Sequence, residues 1–395
     1  MVAGKAPADK NEQTGDFMNK NAVLLVSAID PTRAYSCIKY LHTALAANGV
    51  ELECWCRVPK SNMPSYREWG GRVRSFCESP LMNIPKVRTW YMKWKGFCRC
   101  LKYRNRTIIC HDLLHYRACT TVKRLFPRTR LILYFTEIYN AKHSAFLNQL
   151  QSHFERHTND MDLMIECDYL RNAYRLEENH VTQPSAVILN TIPLAEVQEI
   201  LTIPRTGNPR PTVVYSGGAH EPGEFSIILD ALKNIPLDFE MDFYCFGSQA
   251  VLDSLREECE TKIPGKYRMI VNQPREQVLR QIRNADMGIV YYDPEYSVNT
   301  KYAAPTKFFE YISLAIPVIS SGNPSLTSLI DRYGLGAYMK TNDAAGMQEA
   351  LYTLLSQPEL CRQASQNEAS AFAESLCYEK QSEDAVGKIL ALINR

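Results

Sequence analysis

Five residues in one segment of the second half of the chain, YAAPTKFFEYISLAIPVISS, have types and spacing that suit a nucleotide diphosphate. Pro305 can take a first-turn position of a helix, and Thr306 and Lys307 fall in the same turn. The helix N-terminus, a hydroxyl group and an ammonium group together favour phosphate oxygens. Glu310 and Tyr311 lie one turn further on, where the carboxylate can accept two hydrogen bonds from the vicinal hydroxyls of a ribose.

Glycines and an asparagine stand where predicted strands of the same half end. Gly217 and Gly218 close one strand, Gly247 closes the next, and Asn272 follows the third. Glycines at the carboxyl end of a strand let a diphosphate approach the backbone N–H groups closely. The alternative is that the glycines only make the turn from strand to helix, and that Asn272 is an ordinary turn residue.

Two polar residues follow apolar strands in the first half of the chain. His111 comes after Thr107–Cys110, and Glu137 comes after Leu131–Phe135. Glu137 can bind sugar hydroxyls or form a surface salt bridge, and His111 can act at the site or be a hydrogen-bonded core histidine. Together with Lys307, these two residues are the candidate catalytic residues.

Two other classes of site are excluded by spacing. The first predicted strand is followed by DPTRAY rather than by G-x-G-x-x-G, and there is no P-loop, so a dinucleotide-binding dehydrogenase is not expected. Cys54/Cys56 and Cys98/Cys100 are separated by one residue, whereas zinc ligands usually have two to four residues between them. We therefore expect no metal site.

Two series of alternating strands and helices make up the chain. The first begins with the apolar run AVLLVSAI, typical of a strand buried on both faces, and the second begins with TVVYS after a proline-rich stretch. This alternation predicts an α/β protein with two doubly wound, Rossmann-like domains. The domains should face each other across a cleft, with ligands beyond the carboxyl ends of the strands.

The same pattern predicts five regions along the chain. They are a flexible N-terminal tail (1–20), an N-terminal domain (21–202), a linker (203–211), a C-terminal domain (212–376), and a C-terminal helix (377–395) that packs back on the N-terminal domain.

The composition is that of an ordinary globular protein. Of 395 residues, 45% are hydrophobic and 22% are charged, which excludes disorder for the bulk of the chain. No apolar run approaches the roughly 18 residues of a membrane span, and the first residues do not form a secretory signal. Thirteen irregularly spaced cysteines should then be mostly reduced, so we expect a cytoplasmic protein, with peripheral contact to the inner face of a membrane.

That membrane contact is suggested by charge. The net charge is +2, yet residues 86–130 hold thirteen Lys or Arg residues against one acid, and residues 86–106 interleave bases with aromatic rings. Such a stretch suits an anionic membrane surface or a lipid-linked acceptor; the alternatives are a solvated helix and, less favoured, nucleic acid. The predicted contact residues are Trp90, Lys93, Trp94, Lys95, Arg99 and Lys102.

The segment in the second half resembles the signature of the GT-B glycosyltransferases, especially their large retaining family (glycosyltransferase family 4-like). That signature reads roughly P-x-K-x-x-E-Y followed by P-V-I/V-x-S, and it matches Pro305, Lys307, Glu310, Tyr311 and the run PVISS that begins at Pro317. Less specific matches are Val213–Gly217, Phe243–Gly247, Ala285-Asp286, His111-Asp112 and Val187–Pro193.

The resemblance implies a function. It implies retaining, metal-independent transfer of a sugar from a nucleotide-diphosphate sugar to a glycan or lipid-linked acceptor, in polysaccharide or glycoconjugate biosynthesis. The donor is a co-substrate, and neither a cofactor nor a protein nucleophile is required. The first domain would bind the acceptor and the second the donor.

Three positions depart from the family pattern and leave alternatives open. Tyr302 stands where the family often has a second glutamate, Thr136-Glu137 replaces a histidine, and an Arg and a Lys expected after the strand that ends at Gly217 are missing. Phosphate neutralisation would then rest on Lys307, the backbone and Arg275. The alternatives are a non-catalytic GT-B binding module and a nucleotide-sugar epimerase on the same fold.

Overall fold

The computed structural model describes residues 22–27, 36–56, 72–75, 85–139 and 144–395. The predicted N-terminal tail lies outside these described residues. Within them, none of the helices has the length and hydropathy that crossing a membrane would need. Twelve described cysteines are free thiols.

The first half of the chain forms a seven-stranded parallel sheet with the order β3-β2-β1-β4-β5-β6-β7. Every residue of the first, second and fourth strands is buried, because helices cover both faces of the sheet. The strands are β1 Val23–Val26, β2 Leu52–Cys56, β3 Arg72–Ser75, β4 Thr107–His111, β5 Arg130–Tyr134, β6 Leu163–Glu166 and β7 Ser185–Val187.

The described residues of this half contain six α-helices, five of which lie between its strands along the chain. They are α1 Ser36–Ala47, α2 Pro85–Lys102, α3 Tyr116–Leu125, α4 Ala145–Arg156, α5 Tyr169–Glu178 and α6 Leu194–Leu201. Apolar residues of α1 and α6 belong to one core cluster, and those of α2, α3 and α4 belong to another. The two clusters lie on opposite faces of the first sheet, because residues that alternate along β1, such as Leu25 and Leu24, belong to different clusters.

The second half forms a six-stranded parallel sheet with the order β10-β9-β8-β11-β12-β13. Its strands are β8 Thr212–Ala219, β9 Glu240–Gly247, β10 Tyr267–Val271, β11 Met287–Val290, β12 Val318–Ser320 and β13 Gly336–Tyr338. Its helices are α7 Ser226–Lys233, α8 Gln249–Lys262, α9 Arg275–Ile282, α10 Val298–Lys301, α11 Thr306–Ser313, α12 Pro324–Tyr333, α13 Ala344–Leu355 and α14 Pro358–Ala371.

The last helix, α15 Tyr378–Ile393, returns to the first sheet. The backbone N–H of Tyr378 donates to the carbonyl of Ile192 at 3.0 Å, and its ring lies 5.3 Å from the ring of Tyr40. Lys388 Nζ donates to the carbonyl of Ser185 at 2.8 Å. Helix α15 therefore packs on the first half of the chain.

The predicted fold class is confirmed, with two strands that the sequence did not reveal. The β3 segment reads Arg-Val-Arg-Ser, and β13 is three residues long and follows the left-handed Gly334. Both are edge strands, so neither carries the continuous apolar run that marked the central strands.

A close approach between β11 and α11 gives a stability prediction. A Cβ atom on Gly288 would lie 2.5 Å from the buried ring of Tyr311, so Gly288→Ala should lower the free energy of unfolding by about 1–3 kcal/mol through overpacking. The control is Gly387→Ala in α15, where an added Cβ meets nothing and should add about 0.5–1 kcal/mol. Urea denaturation measures both, and equal stability of the two variants would contradict the packing described.

Candidate functional site

The ammonium group of Lys307 lies at the centre of the site. Lys307 is in the first turn of α11, and its Nζ lies 3.9 Å from the ring centroid of Tyr215 and 5.4 Å from that of Tyr292. Among the described residues, no carboxylate lies within ion-pair distance of it. Lys307 is only 8% exposed, so a cation without a counter-ion is held between two aromatic rings.

Burial changes the acid–base behaviour of this group. Removal from water lowers the pKa of Lys307 to about 8, against smaller opposing effects of Cys245, Glu224 and Glu310. An anion that entered the site would restore the charged form.

Gly217 at the end of β8 makes room for Lys307. Its φ of +147° is rare for residues with a side chain, and a Cβ atom there would lie 2.7 Å from Lys307 Nζ. The sequence left open whether this glycine serves a ligand or a turn. The geometry gives it a definite role, which is to let the β8 backbone approach the ammonium group.

The other predicted donor residues also gather at this edge of the sheet. A Cβ on Gly218 would collide with the ring of His220, and one on Gly247 would collide with the carbonyl of Ala219 on the neighbouring strand. Asn272, after β10, has a left-handed φ of +55° and donates its backbone N–H to the carbonyl of Cys245 at 3.0 Å. The structure therefore places these residues at the carboxyl ends of three adjacent strands.

Glu310 already has a protein partner. Its Oε1 accepts a hydrogen bond from Arg275 Nε at 2.5 Å, and Arg275 also donates to Glu196 Oε1 at 3.1 Å. The hydroxyl of Tyr40 donates to Glu196 in turn. A ribose at Glu310 would share this carboxylate with Arg275, and the chain of contacts reaches α1 of the first half.

The remaining predicted residues of α11 differ in exposure. Pro305 is the N-cap residue, and Thr306 begins the helix half-exposed. The hydroxyl of Tyr311 is buried and accepts from the backbone N–H of Ser216 at 2.7 Å. Tyr311 therefore fixes α11 against β8.

His111 lies in a buried polar cluster at the ends of β4 and β5. Its Nδ1 is 3.0 Å from Ser27 Oγ and its Nε2 is 3.4 Å from Thr136 Oγ1. Burial lowers its pKa, with an opposing effect of Asp112. The carboxylate of Asp112, a residue with φ of +58°, accepts from both the N–H and the hydroxyl of Thr136. His111 is thus a hydrogen-bonded residue of the buried cluster.

Glu137, which follows β5 of the first half, contacts helix α10 of the second half. Its Oε2 accepts from Asn299 Nδ2 at 2.8 Å, while Asn299 Oδ1 accepts from the N–H of Ile138 at 2.8 Å. Neither alternative considered from the sequence, a sugar contact or a surface salt bridge, anticipated this two-bond contact with α10.

Arg171 is a residue of this interface that the sequence did not reveal. Its guanidinium donates to the carbonyls of Tyr302 at 2.6 Å, Thr136 at 2.8 Å and Asn299 at 3.2 Å. It thereby joins β5 of the first half to the segment that precedes α11. An arginine on a charged helix carries no sequence signal that its partners are backbone carbonyls far along the chain.

Two further bonds join the two halves of the chain, one at the segment before α11 and one at α12. Asn190 Nδ2 donates to the carbonyl of Ala304 at 2.7 Å, and Ser325 Oγ donates to Asp168 Oδ1 at 2.7 Å. Because Ala304 lies two residues before α11, which carries Lys307, the bond from Asn190 helps to position the ammonium group.

The basic aromatic stretch forms helix α2, outside this site. Trp90 and Trp94 are 65% and 47% exposed and stack at 6.0 Å, and Lys95 Nζ lies 5.2 Å from the ring of Trp94. Lys93 and Lys102 are exposed as well. Arg99 instead pairs with the buried Glu53, so it does not belong to the exposed surface formed by Trp90, Lys93, Trp94, Lys95 and Lys102.

Comparison with known proteins identifies the fold. No protein-family model and no curated sequence matches the chain. Sucrose-phosphate synthase from Thermosynechococcus elongatus matches with a TM-score of 0.74 at 16% identity, over 94% of this chain and 99% of that one. A glycosyltransferase from Rickettsia africae gives 0.70 at 10% identity, over 95% and 98%. HepE from Anabaena, in complex with UDP and glucose, gives 0.72 at 9% identity, over 94% and 99%.

These likenesses show that the chain has the GT-B glycosyltransferase fold, so the fold predicted from the sequence is confirmed. At such low identity they show the fold alone.

The buried ammonium group predicts a pH dependence of stability. Between about pH 8 and pH 10.5 the unfolded chain keeps a proton on Lys307 that the folded protein has lost, so the free energy of unfolding should rise with pH. The rise should be about 3 kcal/mol, because one pKa unit corresponds to about 1.4 kcal/mol. Lys307→Met should lack it.

The measurement is urea denaturation of both proteins across this pH range, analysed as their difference, which cancels the titration of tyrosines. Lys233→Met, at an exposed lysine in the last turn of α7, is the control and should follow the wild type. A constant difference between wild type and Lys307→Met would show that the ammonium group is solvated.

Proposed function

We propose that the protein is a glycosyltransferase that moves a sugar from a nucleotide-diphosphate sugar to a glycan or lipid-linked acceptor. The observation that carries the proposal is the buried Lys307, which has no carboxylate partner among the described residues and lies beside Gly217 at the start of α11. This arrangement offers one cation, a helix N-terminus and accessible strand-end backbone to a diphosphate. The UDP and glucose present in the HepE structure agree with such a donor.

The chemistry requires stabilisation of a leaving group. As the bond between the sugar and the diphosphate breaks, negative charge grows on the diphosphate, and a preorganised ammonium group stabilises that charge. Among the described residues, no carboxylate within ion-pair distance competes with the diphosphate for Lys307. Glu137 would face the sugar or the acceptor from the first half, while the buried His111 would act only through its hydrogen-bond partners Ser27 and Thr136. We propose retention of configuration without a protein nucleophile.

A non-catalytic binding module is the second candidate. It is favoured by specific contacts, because Glu310 is engaged by Arg275 and Glu137 by Asn299. A nucleotide-sugar epimerase is the third, and it needs an acid/base pair, whereas His111 is buried and hydrogen-bonded. Release of UDP from UDP-glucose by the purified protein separates the candidates, since a binding module releases none and an epimerase forms an isomeric nucleotide sugar instead.

Glu310 provides the sharpest test of the donor site. Glu310→Gln keeps the shape but removes the charge, so the affinity for UDP measured by calorimetry should fall about tenfold through the loss of a charge-assisted hydrogen bond. The control is Glu276→Gln, an exposed carboxylate of α9 that pairs with Arg280 and should leave UDP affinity unchanged.

The comparison with wild type decides the outcome. Equal UDP affinity of wild type and Glu310→Gln would remove Glu310 from the donor site. UDP binding by the wild type without any turnover of UDP-glucose or related donors would favour the binding module.

We also propose that the exposed face of α2 contacts an anionic membrane. Replacing Trp90 and Trp94 with serine should reduce flotation with anionic liposomes, because it removes the exposed apolar rings. High salt should reduce flotation of the wild type, because the Debye length is about 8 Å at physiological ionic strength and becomes shorter as salt is added. The control carries Leu125→Ser and Tyr352→Ser, which are exposed apolar residues elsewhere. Equal flotation of all three proteins, or none, would contradict the membrane contact.

A further inference from the structure

A cavity of about 750 Å3 lies among α2, α3 and α4, and its lining residues do not include Lys307 or the residues around it. These helices cover the face of the first sheet opposite to α1 and α15. Nζ of Lys93 on α2 lies 5.3 Å from the ring centroid of Phe146 on α4, so α2 and α4 are in contact at the cavity. The cavity is therefore built by three helices and belongs to the first half alone.

Cationic and imidazole side chains from all three helices and from the loop before α3 line this cavity, and no Asp or Glu is among its lining residues. They include Lys93, His115, Arg117, Arg124, His153 and Arg156. Arg124 pairs with Asp160 at 2.9 Å. Within the ranges that the structure describes, Lys93, Arg117 and Arg156 form no ion pair. The cavity thus gathers positive charge that the protein itself leaves largely unneutralised.

His115 supplies an independent sign of a missing ligand. It is 1% exposed and lines the cavity, yet neither ring nitrogen has a hydrogen-bond partner among the described residues. Its ring lies edge-on to Trp55 at 5.1 Å, and only a glycine at position 96 leaves room for it. A buried imidazole without a partner is costly unless a ligand or water completes its bonds.

The pKa values of two lining histidines are lowered by burial and by the positive charges around the cavity. Burial and then the charge of Lys93 lower the pKa of His115 to about 4. Desolvation, followed by the neighbouring His157 and arginines, lowers the pKa of His153 to about 4. An anion in the cavity would oppose these effects and raise both values.

The remaining lining fits an oxyanion with an organic substituent. Thr120 Oγ1 lies 3.1 Å from His153 Nε2, and the hydroxyls of Thr120 and Thr121 donate to the carbonyl of Arg117, so Ser152 is the lining hydroxyl that can donate to a ligand. Phe97 and Phe146 provide apolar walls. Arginine side chains suit the several acceptor oxygens of a phosphate group.

We propose that this cavity binds the phosphate group of a phosphoester, either a soluble one or the headgroup of a membrane lipid. The site is separate from Lys307, and the inference does not depend on the proposed glycosyltransferase activity.

The test uses the full chain, with inorganic phosphate and glycerol 3-phosphate as soluble probes and phosphatidylcholine vesicles with and without phosphatidic acid as lipid probes. Arg117→Gln combined with Arg156→Gln should weaken binding of the effective probe by about tenfold or more, since each charged hydrogen-bond donor contributes strongly. Lys39→Gln combined with Arg128→Gln changes the same charge at exposed positions outside the cavity and should bind like the wild type.

A second readout separates a specific site from general attraction. The effective probe should raise the pKa of His153 in an NMR titration, with the signal assigned from His153→Gln, and it should do so equally in Lys307→Met. UDP affinity should be unchanged in the Arg117/Arg156 variant, so a failure here is distinct from a failure of the donor site.

The outcomes assign or reject the ligand. Binding of soluble phosphate esters alone supports a soluble ligand, and arginine-dependent binding to vesicles only when phosphatidic acid is present supports a lipid headgroup. Absence of any probe binding, or equal loss in the two double variants, overturns the proposal.

Discussion

A buried ammonium group without a carboxylate partner is the constraint on which the site depends. Because Lys307 is held between the rings of Tyr215 and Tyr292, its burial must be offset by packing and by the backbone around it. Gly217 lets β8 approach that ammonium group, because its φ of +147° disfavours a side chain and a Cβ atom there would displace Lys307 Nζ. Tyr311 then fixes the distance between α11 and β8 by its hydrogen bond to the backbone of Ser216. Lys307, Gly217 and Tyr311 therefore depend on one another, and none of the three positions can change without affecting the others.

That unit is also coupled to the other half of the chain. Arg171 and Asn190 bond to carbonyls of residues that immediately precede α11, and Asn299 is bonded to the segment after β5. Apolar residues of both sheets, together with those of α15, form one continuous cluster beneath these polar contacts. A change in the angle between the halves would therefore act directly on the helix that carries Lys307. The same contacts therefore hold the two halves together and position the cation.

The sequence predicted those parts of the structure that depend on local pattern. Buried strands such as β1 and β4 were found because both of their faces are apolar, and α11 was found because its start and its polar residues are close along the chain. The edge strands β3 and β13 were missed because an edge strand needs no continuous apolar run. Arg171 and the partners of Glu137 were missed for a different reason: each contact joins residues more than 30 positions apart, and in most cases more than 120.

The same distinction explains why Glu310 is harder to interpret than Lys307. A lysine in the first turn of a helix at the carboxyl edge of a parallel sheet meets the ends of the neighbouring strands, so its surroundings follow from the alternation of strands and helices. The carboxylate of Glu310 can accept from several partners, and the fold brings it Arg275, whose other contact is Glu196 of the first half. Arg275 therefore links α11 to α6, because it bonds to the carboxylates of Glu310 and Glu196. If a ribose engages Glu310, it must share or displace a bond that also links the two halves, so donor binding and the contact between the halves are energetically coupled.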